Sequence, residues 1–328
     1  MSEIGVYREG TGREVVEAIE RPIGRRRSDR IVGAARATQE VVDQAMAAAR
    51  AELPVVITGP EGSGKEHTAR AIHAWSDRAT EPLVVVSCAA VSDALLGREL
   101  LGCADGGAYP LLPGDYTGAL SRAAAGTLLV DRIDQMPDAV LQALLDAIKT
   151  GSFRREGDSA SLPLRARVVV TSTVQPETSP LGDIPQHTIR VVSLAERQED
   201  ILPLAAHFLR LYADEEGVKP VGFTSDARNA LLAEDWSGNV RELSERIRQA
   251  IKLAGSGSIS AEALLLAADG ENIPSFKEAK RAFETRYVVG LLRRCGGNIS
   301  RAARLAKKDR KDFYDVIRRT GVNPSEFR

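Results

Sequence analysis

The sequence predicts an α/β fold built on a parallel sheet, followed by an all-helical region, and three observations carry that prediction. Five short apolar runs punctuate the first part of the chain: Val55-Val56-Ile57, Leu83-Val84-Val85-Val86, Leu128-Leu129-Val130, Val168-Val169-Val170 and Ile189-Arg190-Val191-Val192. Helical patterns separate several of them, and strands alternating with helices form parallel sheets covered on both faces. From Glu199 onward the pattern is wholly helical.

Taken in order, residues 1–30 are polar and end in a basic run, Arg25-Arg26-Arg27 with Arg30. They read as a mobile leader, with a DNA-contacting arm as the alternative. Residues 37–51 form an amphipathic helix leading into the first strand, and 139–150 form another after the third. Helices follow over 201–213, 225–233 and 240–253. Gly255-Ser256-Gly257-Ser258 punctuates this region, and 267–275, containing Asp269-Gly270 and Pro274, reads as a linker. A long helix over 276–294, a turn at Gly296-Gly297 and two short helices complete the chain. The expected divisions are a leader 1–30, an α/β part 31–198, a helical part 199–266, the linker 267–275 and a C-terminal domain 276–328.

Composition narrows the class. The 328 residues suffice for two or three domains. No run approaches the apolar length of a membrane span, and the N-terminus has no signal-peptide core. The three cysteines, Cys88, Cys103 and Cys295, suggest neither a disulfide framework nor a zinc site, so a reducing cytoplasm fits. The four histidines form no ligand pattern. Net charge is −1, yet residues 276–328 hold 15 Lys/Arg against 6 Asp/Glu. A basic end on a neutral-to-acidic body suggests nucleic-acid binding there.

The most informative stretch is Gly59-Pro60-Glu61-Gly62-Ser63-Gly64-Lys65-Glu66, between the first strand and a helical pattern. Strand, glycine-rich turn and helix start make the P-loop context, where backbone N–H groups and the helix N-terminus face a phosphate chain. Lys65 adds a full charge near the terminal phosphates. Glu66 departs from the pattern, which has Ser or Thr there to bind magnesium.

These residues and several others resemble the bacterial enhancer-binding proteins, the AAA+ ATPases that activate sigma-54 RNA polymerase. The resemblance spans about residues 31–328. The P-loop looks like that family's Walker A, which also carries Glu after Lys. Ser87-Cys88-Ala89-Ala90 resembles its Asn-Cys-Ala-Ala, and Glu99-Leu100-Leu101-Gly102 its Glu-Leu-Phe-Gly. Gly126-Thr127-Leu128-Leu129-Val130-Asp131 resembles its Walker B strand. Trp236-Ser237-Gly238-Asn239-Val240-Arg241-Glu242-Leu243 resembles its sensor II, where Arg241 would touch the nucleotide. Gly296-Gly297-Asn298-Ile299-Ser300-Arg301-Ala302-Ala303 resembles its Fis-type helix-turn-helix.

The resemblance implies an AAA+ P-loop domain, a parallel sheet with flanking helices, with an α-helical lid and an all-α C-terminal helix-turn-helix domain. It implies ATP or ADP as ligand, with Mg2+ at Asp131. It implies double-stranded DNA as partner, and RNA polymerase or a related AAA+ activator. Self-association is expected as a dimer through the C-terminal domain and as a higher AAA+ oligomer. Members often carry a sensory domain first; about thirty residues cannot bury a core of their own, so control is expected in trans.

The family's catalytic residues are changed. Arg132 occupies the position of the Glu that orients water, and a guanidinium cannot accept a proton. It could instead pair with a phosphate and favour retention of ATP. Asp134 is a nearby carboxylate expected to point elsewhere. Ser87 stands for the switch Asn and Thr173 for the sensor I Asn. The arginine fingers should fall within 177–184, which contains no arginine; Arg190 is a displaced candidate whose place in a strand argues against it.

The sigma-contact motif, Gly-Ala-Phe-Thr-Gly-Ala, falls on Gly107-Ala108-Tyr109-Pro110-Leu111-Leu112 when counted back from Walker B. Pro110 fixes the backbone where the family has Thr. A rival register, Gly114-Asp115-Tyr116-Thr117-Gly118-Ala119, lies too close to Walker B.

At the C-terminus, Asn298 and Asp309 are expected to cap the two helices of the motif. The second helix would enter the major groove with Arg310, Lys311 and Tyr314 leading, while Arg301, Arg304, Lys307 and Lys308 hold phosphates. Asp315 replaces a basic residue common there in the family. Phe283, Tyr287, Val288, Leu291 and Leu292 offer an apolar stripe for dimerisation. The expected protein is a DNA-binding transcriptional regulator that binds ATP or ADP, hydrolyses it poorly and lacks a working contact loop. The alternative is an active activator that hydrolyses ATP to remodel RNA polymerase. An unrelated P-loop enzyme such as a kinase is disfavoured by the sensor II and helix-turn-helix motifs.

Overall fold

A computed structural model of the chain describes residues 30–105, 114–174, 179–218, 222–255, 257–267 and 276–327. Its strands are β1 (Val55–Thr58), β2 (Leu83–Ser87), β3 (Thr127–Asp131), β4 (Ser152–Arg154), β5 (Ser161–Pro163), β6 (Arg167–Ser172) and β7 (His187–Arg190). All five apolar runs enter one parallel sheet in the order β2-β3-β6-β1-β7. β1 and β6 are buried along their whole length, as interior strands of a sheet covered on both sides must be.

The two-residue period of a strand sorts side chains between two layers. Val56, Val86, Leu128, Val130, Val168 and Val170 pack with Leu96 and Leu100 of α3 (Asp93–Leu101), Leu120 of α4 (Ala119–Arg122) and Leu144 of α5 (Asp138–Thr150). Val55, Ile57, Leu129, Val169 and Ile189 face the other way. They meet Val41 and Ala45 of α1 (Arg36–Ala49) and Ala69 and Ile72 of α2 (Lys65–Trp75). Each fully buried Val, Leu or Ile is worth roughly 1.5–3 kcal/mol, so these two layers dominate the stability of the α/β part.

Two details differ from expectation. The fifth sheet strand runs His187–Arg190, earlier than the run 189–192, although Val191 N–H still donates to Thr58 O at 2.8 Å. Pairing of His187 with Val55 sets this register, so contact with β1 overrides the apolar run. The antiparallel β4–β5 hairpin was not anticipated.

Beyond the sheet, α6 (Ile201–Glu216), α7 (Ser225–Ala233), α8 (Asn239–Ala254) and α9 (Ala261–Leu266) enclose a second core of Leu204, Leu209, Leu231, Trp236, Leu243, Ile247 and Ile251. Thr224 and Ser260 cap α7 and α9 by accepting from Ala227 N–H and Ala263 N–H, each at 3.2 Å. The chain falls into two compact units, 1–267 and 268–328. In the second unit, α10 (Phe276–Arg294), α11 (Ile299–Leu305) and α12 (Arg310–Thr320) pack around Val288, Leu292, Ala302, Phe313 and Ile317. Among the described residues, no helix is long and apolar enough to cross a membrane.

Candidate nucleotide-binding site

The loop between β1 and α2 lies at the C-terminal edge of the sheet, where parallel α/β folds bind ligands. Gly62 has φ +70 and passes so close to the lid that a Cβ there would stand 2.2 Å from Gly238 O. Lys65 is buried, and its Nζ donates to Gly59 O and Pro60 O at 2.8 Å each. Burial pushes its pKa down, Arg132 adds to that effect, and Asp131, Asp134 and Glu61 oppose it. Glu66 turns to Arg70, accepting at 3.0 and 2.6 Å, rather than offering a hydroxyl to a metal.

Asp131 ends β3 beside the loop. Its Oδ1 accepts from Thr171 Oγ1 at 2.6 Å, and Ser87 Oγ lies 3.5 Å from Oδ2. Arg132 adopts a left-handed backbone, φ 59 and ψ 52, with its N–H donating to Thr171 Oγ1 at 3.0 Å. Its Nη1 stands 3.5 Å from Glu61 Oε1. Asp134 accepts from Thr173 N–H and Oγ1, both at 2.9 Å. Burial alone would raise the Asp134 pKa, but these hydrogen bonds outweigh it and hold the carboxyl below its usual range.

Facing the loop, α8 brings Arg241, whose Nη1 donates to Glu61 Oε1 at 2.9 Å. The Glu61 carboxyl is held low by that bond first and by the Arg132 charge next. Asn239, assigned no role from sequence, has φ 56 and joins lid to loop. Its Nδ2 donates to Glu61 O, and its Oδ1 accepts from Leu194 N–H, each at 2.8 Å.

Two further residues were missed as site components. Asp200 is fully buried and accepts from Ala34 N–H at 2.6 Å, Ala35 N–H at 2.7 Å and the Thr38 hydroxyl. Arg197 reaches from Asp200, 3.7 Å away, to Ser63 O at 2.5 Å. Burial lowers the Arg197 pKa, and Asp200 counters it. Together they tie residues 33–38, the P-loop and the start of α6 into one body. The sequence signal for them is a pair of opposite charges, Arg197 and Asp200, three residues apart at the start of a helical pattern.

Between sheet and lid lies a cavity of about 340 Å³ lined by Ile31, Val32, Lys65, Asp131, Phe208 and Arg241, among others. Its lining joins apolar side chains such as Ile31, Val32 and Phe208 to charged ones, Lys65, Asp131 and Arg241. Ser63 Oγ is buried on the loop without a hydrogen-bond partner, as a hydroxyl awaiting a phosphate would be. For magnesium the donor set is thinner. Among the described residues no group of three or more His, Cys, Asp or Glu could hold a metal, so Asp131 with phosphate oxygens would have to serve.

Comparison with known proteins agrees with this architecture. Residues 31–182 match the family described as Sigma-54 interaction domain, and residues 195–279 match the AAA+ ATPase lid domain. Transcriptional regulatory protein GlrR of Escherichia coli is 32% identical over 299 residues, covering 88% of this chain and 67% of the relative. Transcriptional regulatory protein ZraR of Klebsiella oxytoca is 32% identical over 304 residues, covering 88% and 68%. Nitrogen assimilation regulatory protein NtrX of Azorhizobium caulinodans is 33% identical over 297 residues, covering 82% and 64%. The chain belongs to the sigma-54-dependent AAA+ transcriptional regulators.

Solved structures of this regulator family agree in fold. NtrX from Brucella abortus in complex with ADP superposes with a TM-score of 0.65 at 26% identity, covering 90% of this chain and 70% of that one. The same protein in complex with ATP gives 0.66 at 28%, covering 90% and 71%.

The other segments expected to matter in such a regulator are placed as follows. Gly107, Ala108, Tyr109, Pro110, Leu111 and Leu112 lie outside the described residues. The rival register does not. Tyr116 OH donates to Glu99 Oε2 at 2.5 Å under the Arg98 guanidinium, and a Cβ on Gly118 would stand 2.2 Å from Gly102 N. Residues 116–118 therefore belong to the packed body. Cys103 and Tyr116 exchange two backbone hydrogen bonds, at 3.0 and 2.8 Å, and Ala104 and Gly102 bond to Glu156 at 2.8 and 3.0 Å. Of the segment expected to hold the fingers, 177–178 lies outside the described residues, and Arg190 closes β7.

In the C-terminal unit Asn298 caps α11, accepting from Arg301 N–H at 3.1 Å. Asp309 sits at the N-cap of α12, but its side chain makes no capping hydrogen bond, contrary to expectation. Arg301, Arg304, Lys307, Lys308, Arg310, Lys311 and Tyr314 are all exposed, on α11, the turn and α12. The dimer stripe needs correction. Val288 and Leu292 are fully buried in the unit's own core and Leu291 packs against it, leaving Tyr287 exposed; the side chain of Phe283 lies outside the described ones. One face of a helix cannot serve two masters, and here the three-helix core takes it.

Proposed function

We propose that this protein is a DNA-binding transcriptional regulator whose AAA+ domain binds ATP or ADP but hydrolyses it poorly. The observation that carries this reading is the residue after Asp131. Arg132 stands there with its guanidinium turned to Glu61. Asp134, the carboxylate three residues past Asp131, is occupied by Thr173. Neither Arg132 nor Asp134 is thereby offered as a base to orient a water, while the binding groups Gly59, Pro60, Glu61, Gly62, Ser63, Gly64, Lys65, Glu66 and Arg241 surround the cavity or its loop. Magnesium, if bound at Asp131, would supply charge compensation to the phosphates. The likeness to NtrX, solved with ADP and with ATP, supports nucleotide binding.

The C-terminal unit would bind double-stranded DNA through the exposed cations of α11 and α12. RNA polymerase, or hexamers of an active AAA+ relative, are the further partners. With Pro110 and Leu111 replacing the family's Thr and Gly, the sigma-contact loop would not work. The domain divisions given above and a cytoplasmic location belong to the same reading. A second reading, an active ATPase that remodels sigma-54 polymerase, is favoured by the family match over residues 31–182. Steady-state ATP hydrolysis across a protein concentration series separates the two. Turnover rising with oligomerisation, together with ATP-dependent open complexes at a sigma-54 promoter, would establish the second and refute the first.

A further inference from the structure

The residue that removes the catalytic carboxylate also adds a cation beside the P-loop. The main chain at Arg132 is held in place: its N–H donates to Thr171 Oγ1 at 3.0 Å and its backbone is left-handed. Its guanidinium meets Glu61 Oε1 at 3.5 Å, and its Nε is buried without a hydrogen-bond partner. The same Glu61 oxygen accepts from Arg241 Nη1 at 2.9 Å. One carboxylate oxygen thus holds one guanidinium from the sheet edge and one from the lid. The Arg132 charge is also felt at Lys65, the P-loop lysine, whose ordinary partners are the β- and γ-phosphates.

A single carboxylate is an incomplete partner for two guanidiniums, each with five donors. A terminal phosphate offers three oxygens and more charge, and Arg forks match it. We propose that Arg132 is a specificity residue for the third phosphate, making the site select ATP over ADP by exchanging Glu61 for the γ-phosphate as the shared partner of Arg132 and Arg241. This deepens the nucleotide-binding reading above and rests on it. A diphosphate leaves both arginines on Glu61. A triphosphate draws both onto its third phosphate, so the phosphate count is read by one group from the sheet edge and one from the lid, without hydrolysis.

Calorimetry on the full chain in magnesium buffer tests this, with ADP and the β,γ-imido analogue of ATP as probes. The wild-type protein should bind the triphosphate roughly tenfold or more tighter than ADP, the factor expected of one charge-assisted hydrogen bond. Arg132→Gln should lower that ratio by about tenfold while leaving ADP affinity within about twofold, which also reports that the variant is folded. Arg132→Lys should restore part of the ratio. Glu61→Gln, which removes the competing charge, should raise it. If Arg132→Gln weakens both nucleotides equally, or leaves the ratio unchanged, Arg132 is a structural partner of Glu61 and the proposal is wrong. Wild-type binding of both nucleotides with equal affinity overturns this inference alone. Failure to bind either overturns the nucleotide-binding reading as well.

Discussion

Replacing Asp200 by Ala should cost the first unit about 3–5 kcal/mol, the range for breaking a buried ion pair by removing one partner. The structure explains why the value belongs at that level. Asp200 has no exposure and accepts three hydrogen bonds, from two backbone N–H groups and the Thr38 hydroxyl. Its removal leaves the buried Arg197 guanidinium without its carboxylate. Gly33 is packed against the same group, so that a Cβ there would stand 2.7 Å from Asp200 Oδ1. For a unit of this size each kcal/mol moves the midpoint by roughly 2–4 °C, so a fall on the order of 10 °C is expected. Trp75 and Trp236 both lie in this unit, and their fluorescence during urea and thermal unfolding reports it separately from the C-terminal unit. Asp200→Asn, which retains acceptance through one oxygen, should fall between wild type and Ala. A loss below about 1 kcal/mol for Ala, the size of a single ordinary hydrogen bond, would show that the Asp200 contacts do not act together as described.

Three further outcomes are expected. Lys65→Ala should abolish measurable ATP and ADP binding in calorimetry; equal affinity for wild type and variant would exclude the P-loop as the site. Removing residues 276–328 should abolish duplex DNA binding, which in the full chain should weaken steeply with salt as phosphate contacts release counterions; a gel shift by the truncated protein would overturn the assignment. Asp134 has a lowered folded pKa, so its contribution is fully present above the unfolded carboxylate value and is lost as pH falls through the folded one. Thr173→Val, which removes one of the lowering hydrogen bonds, should reduce that acid-side loss of stability, and urea titrations from neutral pH down through the carboxylate range would detect it.

The sheet was legible because its signals are local. Each central strand is a short run of Val, Leu or Ile, and burial on both faces needs nothing more. The P-loop was legible for the same reason, since its glycines and lysine are contiguous. The β4–β5 hairpin was not: Ser152-Phe153-Arg154 and Ser161-Leu162-Pro163 are too short and too polar to announce strands. The site's internal wiring was hidden by distance along the chain. Asp200 reaches residues more than 160 positions earlier, and Arg241 meets Glu61 across 180. No periodicity encodes such pairs. The stripe on α10 failed differently. Apolar spacing says that Val288 and Leu292 are buried, but it cannot say whether the burying surface belongs to the same chain or to another copy.

The backbone clamp formed by Cys103, Tyr116 and Glu156 has a consequence for how this protein can be altered. Both ends of residues 104–115 are stapled into the body, by Cys103 against Tyr116 and by Gly102 and Ala104 against Glu156. Because Gly102 and Ala104 follow α3, Tyr116 leads into α4 and Glu156 follows β4, these bonds couple three elements that are distant in sequence, and a change in any one of them reaches the other two.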